Sequence, residues 1–141
     1  MCSYLIEAVR IANKYLPPKK LIHSMRVAQY AMEDYNLYEY PMIEKVEDVF
    51  VTALLHDVVE DTECTFKDLL DSGIPQYIVN YLKSLTKEPE EEYNSYIKRC
   101  AAGHAMAVIV KRADIKDHLS LTETLTDKLK EKYIAALPYL L

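Results

Sequence analysis

Apolar residues recur every three or four positions along most of this chain, the spacing that places side chains on one face of a helix. The alternation of apolar and polar residues that marks a half-buried strand is missing throughout. In the second predicted helix, one such apolar face is formed by His23, Val27, Tyr30 and Ala31. The pattern therefore predicts an all-α fold.

Prolines, glycines and capping residues divide this pattern into about eight helices joined by short turns. The pair Pro17-Pro18 ends the first helix, and Gly73 and Gly103 end the fourth and the sixth. Thr65 and Asp68 have the spacing of an N-cap residue and its partner. Since no linker interrupts the elements, we expect a single domain over residues 1–141. Seven of the predicted helices span residues 3–15, 19–34, 41–61, 65–73, 75–85, 104–119 and 126–140. The charged stretch 87–92 leads into the remaining one, the sixth along the chain, which runs through residue 102.

The composition is that of one ordinary globular domain, with 141 residues, 50% of them hydrophobic and 28% charged. The two glycines are too few for Gly-rich phosphate-binding loops or for a hairpin-rich β fold. The net charge of −5 and the absence of a basic run argue against nucleic acid as a partner, because such binding depends on neutralising phosphates.

Cysteine usage and hydropathy indicate a cytoplasmic protein with no membrane partner. The three cysteines are odd in number and far apart, as expected in a reducing compartment. The N-terminus has no signal-peptide pattern. The longest uncharged apolar run, residues 49–55, is too short to span a bilayer.

The third predicted helix is apolar on nearly every side, which is typical of a buried helix. Carboxylates at its C-terminal end oppose the helix dipole, and burying them unpaired would cost several kcal/mol. Either this end is solvated, or a positive group lies beside it. The polar residues of these last turns are His56, Asp57, Glu60 and Asp61.

Two residues elsewhere in the chain favour a positive group. His23 lies on the apolar face of the second predicted helix, where a hydrogen-bonded core histidine is the alternative. Asp114 lies on an apolar face of the seventh predicted helix, and aspartate is almost never fully buried unless it is paired. One cation would satisfy His23, His56, Asp57 and Asp114 together. Two imidazoles and two carboxylates suit Mn²⁺, Fe²⁺ or Zn²⁺ and leave coordination positions for water and substrate.

The order His23, His56-Asp57 and Asp114, all on helices, resembles the HD-domain metal phosphohydrolases. The stretch ALLHDVVEDT, residues 53–62, is similar to a motif of the RelA/SpoT-type alarmone hydrolases. The resemblance continues through residues 85–87, Tyr93, residues 96–99 and residues 110–114, so that it covers about residues 19–121.

The resemblance implies an all-α fold and a stand-alone hydrolase that removes the 3′-pyrophosphate of (p)ppGpp. It implies that Glu60 and Asp61 position and activate the attacking water. It also implies one divalent metal, usually Mn²⁺, held by His23, His56, Asp57 and Asp114.

Two stretches depart from the family pattern, and both concern the substrate. The segment before and around His23 lacks the glycine and the proline that the family carries near its base-binding region. His118 stands where the family usually has asparagine, and it is either a substrate-facing donor, a base close to the metal or a surface residue. Lys20 in that basic segment and Lys111, which matches a family lysine, are the other candidate substrate contacts.

Three functions remain open from the sequence. The first is hydrolysis of (p)ppGpp. The second keeps the chemistry and changes the substrate to a nucleoside phosphate or to the 2′-phosphate of NADPH. The third is a non-catalytic sensor that binds a metal or a nucleotide, against which the pair Glu60-Asp61 argues, because a binder has little use for water-activating carboxylates. A small nucleotide is the expected partner in each case, and the oligomeric state stays open.

Overall fold

The computed structural model describes residues 3–43 and 45–141, so residues 1 and 2 of the predicted domain and residue 44 of the predicted third helix lie outside it. Within the described residues the chain forms nine helices and no strand, which confirms the predicted all-α class. The helices are α1 Ser3–Tyr15, α2 Pro18–Leu37, α3 Val46–Leu55, α4 Val58–Asp61, α5 Phe66–Asp71, α6 Gln76–Leu85, α7 Tyr93–Ala102, α8 Ala105–Ser120 and α9 Asp127–Leu140.

The local signals at the ends of α5 act as predicted. The Thr65 hydroxyl accepts a hydrogen bond from the Asp68 backbone N–H at 3.1 Å, and the Asp68 carboxylate accepts one from the Thr65 N–H at 3.0 Å. Two backbone donors that the helix leaves unpaired are thereby satisfied. At the other end Gly73 has φ +95°, and the Ile74 N–H reaches back to the carbonyl of Leu69 at 3.1 Å. Both the predicted capping box and the predicted end of this helix at Gly73 are confirmed.

The predicted helix over residues 41–61 is wrong in its extent. Pro41 lies in a turn, and α3 begins only at Val46. The helix then breaks at His56, whose N–H bonds the carbonyl of Ala53 rather than that of the residue four positions back. Asp57, with φ −104° and ψ −3°, departs from helical geometry and precedes α4. The count therefore exceeds eight because one predicted helix is two, with His56 and Asp57 in the turn between them.

The buried helix α3 lies at the centre of the fold, as its apolar sequence predicts. It packs against α1, α2, α6 and α8, and Val49, Val51 and Ala53 are fully buried. Helix α8 packs in turn against α2, α7 and α9. The end of α3 thus meets the inner faces of α2 and α8. None of the described helices is both long and apolar enough to cross a membrane.

Candidate metal centre and adjoining cavities

Three elements that are distant in sequence bring the four predicted metal ligands together. Helix α2 supplies His23, the turn after α3 supplies His56 and Asp57, and α8 supplies Asp114. One ligand atom from each residue lies within 4.8 Å of the others. His23, His56 and Asp114 are buried and Asp57 is half-buried, so the cluster is shielded from bulk water.

Hydrogen bonds to the far side of each imidazole fix which nitrogen faces the cluster. The Nδ1 of His56 lies 2.6 Å from the carbonyl oxygen of Ala53, which can only accept, so that nitrogen carries the proton. The Nδ1 of His23 lies 2.6 Å from an Asp117 carboxylate oxygen and donates in the same way. Each Nε2 therefore faces the cluster, at 2.9 Å from an oxygen of Asp114 for His23 and 3.3 Å for His56, and is the nitrogen that could bind a cation there. This is the arrangement of metal-binding histidines, whose outer N–H is anchored to a carboxylate or a carbonyl.

The electrostatics of the cluster favour a positive charge at its centre. Burial by itself lowers the pKa of His56, yet the carboxylates of Asp57 and Asp114 outweigh it and raise that pKa well above its usual range. Burial works to raise the pKa of Asp114, but Lys111 and the histidines hold it well below the usual range. Within the described part of the chain, Asp57 forms its ion pairs with the two imidazoles. The donor set and its charge both fit a divalent cation.

Asp117 and Arg26 form a supporting layer that the sequence analysis missed. Asp117 is fully buried on α8 and accepts from the Nε of Arg26 at 2.6 Å and from its Nη2 at 3.2 Å, in addition to His23. The signal was present, because Asp117 follows Asp114 by three positions and so lies on the same helix face. This layer orients the His23 ring toward the cluster.

The predicted catalytic pair lies on α4, at the rim of a cavity of about 240 Å³ that Asp57 and Asp114 also line. The Asp61 carboxylate accepts from the Lys20 ammonium group at 2.8 Å. The Glu60 carboxylate accepts from the Lys87 backbone N–H at 2.8 Å. Partial desolvation and the neighbouring aspartates raise the pKa of Glu60, although that N–H works against the shift. Both carboxylates are thus held in place beside the cluster.

The three predicted substrate contacts all line this cavity of about 240 Å³, which is called the smaller cavity below. Lys20 lies at its exposed edge. Lys111 is buried and holds the outer oxygen of Asp114 at 2.7 Å. His118 stacks on Tyr133, with ring centroids 4.9 Å apart, and its Nε2 lies 3.2 Å from Asp114. The His118 side chain is 35% exposed and contacts the cluster through Asp114, so it lies at the edge between the site and solvent.

A larger cavity of about 490 Å³ lies on the other side of His23. It is formed by α2, by Ser120 at the end of α8 and by the segment 121–124 that follows. Ile22 and Leu121 give it apolar surface, and its charged lining residues are Lys19, Arg26 and Glu123. The four-residue cluster therefore borders two cavities, a polar one toward α4 and α9 and a larger one along α2.

No model of a known protein family matches this chain, and no curated protein matches it either. Nine chains of solved structures match. One comes from the structure described as "A metazoan ortholog of SpoT hydrolyzes ppGpp and plays a role in starvation responses", with a TM-score of 0.73 and 22% sequence identity. The alignment covers 99% of this chain and 84% of that chain. The expected resemblance in fold to the RelA/SpoT-type hydrolases is confirmed.

Proposed function

We propose that this protein is a metal-dependent phosphohydrolase that removes the 3′-pyrophosphate of (p)ppGpp. The observation that carries the proposal is the convergence of four ligand atoms within 4.8 Å beside two anchored carboxylates and a cavity lined with lysines. The fold of a structure whose title names ppGpp hydrolysis supports the choice of substrate.

In this proposal His23, His56, Asp57 and Asp114 hold one divalent cation. The mixed nitrogen and oxygen set suits Mn²⁺, Fe²⁺ or Zn²⁺. The resemblance to the alarmone hydrolases favours Mn²⁺ among the three. A cation bound there would supply Lewis acidity toward a phosphoryl oxygen and the attacking water. Lys111 neutralises the outer oxygen of Asp114, at 2.7 Å, and so holds that carboxylate in its ligating position.

Glu60 and Asp61 handle the attacking water. Desolvation raises the pKa of Glu60 and so makes its carboxylate a stronger base than an ordinary glutamate, which suits a group that takes a proton from water. Asp61, held by Lys20, orients the water. The water oxygen bonds to the 3′ phosphorus, and the bond from that phosphorus to the ribose 3′ oxygen breaks. The proton that Glu60 received is passed to this oxygen, which leaves as a hydroxyl group.

The larger cavity is the expected place for the nucleoside. Its volume of about 490 Å³ and its mixture of apolar and polar lining are typical of small-molecule sites. Because it borders His23, a nucleoside held there presents its ribose phosphates to the cluster. The altered segment around His23 forms part of this wall, so recognition of the base would use residues that differ from the family pattern.

Metal binding is the first test. After loading with Mn²⁺ and removal of free metal, elemental analysis should find one ion per chain in the wild type and a large loss in His56→Ala. His104→Ala removes a histidine outside the cluster and is the matched control. Equal metal content in His56→Ala and His104→Ala would contradict the site.

Turnover against a nucleotide panel is the second test. With Mn²⁺ present, we expect pyrophosphate release from (p)ppGpp to exceed phosphate release from nucleoside phosphates and from NADPH. Faster phosphate release from NADPH would support the second candidate function instead, hydrolysis of the 2′-phosphate of NADPH. Tight nucleotide binding with no turnover of any substrate would identify a sensor instead.

A further inference from the structure

The smaller cavity contains two lysines that the proposed chemistry does not use. Lys20 and Lys111, which also line it, each pair with a carboxylate of the site. Lys87 and Lys132 have no carboxylate partner among the described residues. The Lys87 ammonium group donates to a backbone carbonyl at 3.2 Å, and that of Lys132 lies 4.2 Å from the ring centroid of Tyr93. This end of the cavity, built from α7, α9 and the loop before α7, therefore has two ammonium groups that form no ion pair with the described residues.

Tyr93 adds an unsatisfied donor at the same place. Its hydroxyl is buried and has no hydrogen-bond partner within the described chain. Burial raises the pKa of this hydroxyl to about 12, so it keeps its proton and can donate. A buried polar group without a partner costs free energy, which a ligand that accepts a hydrogen bond would recover. The ring lines the cavity that also contains the two unpaired lysines.

We infer that Lys87, Lys132 and the Tyr93 hydroxyl form a subsite for the outer phosphate of a pyrophosphate group whose inner phosphate lies at the metal cluster. Two ammonium groups and one hydroxyl match the charge and the acceptor oxygens of a terminal phosphate. The inference rests on the proposed function only in naming this group as the 3′-pyrophosphate that the reaction releases.

The charge distribution of the cavity supports this direction of binding. Burial lowers the pKa of Lys132, and the positive charges of Lys111 and Lys87 lower it further. An anion between these ammonium groups would replace repulsion by attraction. Glu60 also lines the cavity and accepts from the Lys87 backbone N–H at 2.8 Å, so its carboxylate borders the subsite on the side of α4. An anion in the subsite would therefore bind against the ammonium groups of Lys87 and Lys132 rather than against Glu60.

Pyrophosphate binding tests the subsite without any turnover. The probe is inorganic pyrophosphate, titrated calorimetrically into Mn²⁺-loaded protein from which free metal has been removed. Lys132→Gln and Tyr93→Phe should each weaken binding at least 10-fold, because each removes a donor to the outer phosphate. Lys130→Gln, on the same helix but outside the cavity, is the matched control. Metal content should be unchanged in all three variants.

Thermal unfolding separates a binding role from a structural one. Without ligand, Tyr93→Phe should be as stable as the wild type or more stable, because the hydroxyl it removes has no partner. With pyrophosphate, the wild type should gain more in Tm than this variant does.

The outcomes distinguish the subsite from the proposed function. Pyrophosphate affinity that is unchanged in Lys132→Gln and Tyr93→Phe overturns the subsite, even if the enzyme hydrolyses (p)ppGpp. No pyrophosphate binding by the wild type also overturns it. Weakened binding in both variants, in a protein that does not hydrolyse (p)ppGpp, sustains the subsite and refutes the proposed substrate.

Discussion

Asp117→Asn should weaken metal binding although Asp117 is not one of the four candidate ligands. The fully buried carboxylate accepts from His23 Nδ1 at 2.6 Å and from two guanidinium nitrogens of Arg26 at 2.6 and 3.2 Å. Asparagine keeps the shape but removes the charge and replaces one acceptor by a donor. The amide then cannot accept from both neighbours at once, and the tautomer and orientation of His23 are no longer fixed.

The magnitude follows from this geometry. Loss of the outer partner of a metal-binding histidine lowers metal affinity by about 10- to 100-fold. Loss of charge-assisted hydrogen bonds on a buried carboxylate lowers the free energy of unfolding by about 1–3 kcal/mol. Mn²⁺ affinity would be measured by calorimetry or by competition with a chelator, and stability by urea unfolding of metal-free protein.

Arg26→Gln is the matched control for this prediction. It removes the guanidinium but leaves the bond between Asp117 and His23, so its effect on Mn²⁺ affinity should be clearly smaller than that of Asp117→Asn. Wild-type Mn²⁺ affinity in Asp117→Asn would refute the supporting role of Asp117. Equal losses in both variants would show that the charge balance, and not the orientation of the ring, controls the site.

Three further predictions concern chemistry, pH and backbone conformation. Glu60→Gln and Asp61→Asn should each lower kcat at least about 10²-fold while Mn²⁺ content stays at the wild-type level, as elemental analysis beside steady-state kinetics would show. The Arg99 guanidinium, a backbone N–H and neighbouring charge lower the pKa of Glu91 from 4.5 to about 2. The ionised Glu91 therefore stabilises the folded protein above about pH 4.5, and this contribution is lost as the pH falls toward 2. Glu91→Gln should lower the unfolding free energy by about 1 kcal/mol at neutral pH, and urea titrations should show this difference shrinking between about pH 5 and pH 3. Gly73→Ala should destabilise the protein by about 1 kcal/mol in the same assay, because φ is +95° there although the space around it is open.

Local sequence signals were sufficient to predict those features of the fold that depend only on residues close together in the chain. The capping box of Thr65 and Asp68 and the glycine at position 73 act over one helical turn, and both predict the ends of α5 correctly. Apolar periodicity did not predict the break between α3 and α4 at His56, because the apolar residues continue on both sides of it. The change from helix to turn there comes from the Ala53 carbonyl, which accepts from the His56 backbone and ring.

The identity of the candidate ligands was also predictable, because histidine and aspartate on apolar helix faces need a partner wherever the helices lie. The sequence by itself therefore determined the helical class, most helix ends and the four residues that converge. The tertiary structure alone decided that Asp117 anchors His23 and that Lys132 faces the same cavity as Tyr93. A lysine on α9 has no local feature that separates a solvated side chain from one facing a site. That distinction depends on how α9 is rotated against α7 and α8, and packing between residues far apart in sequence sets this rotation.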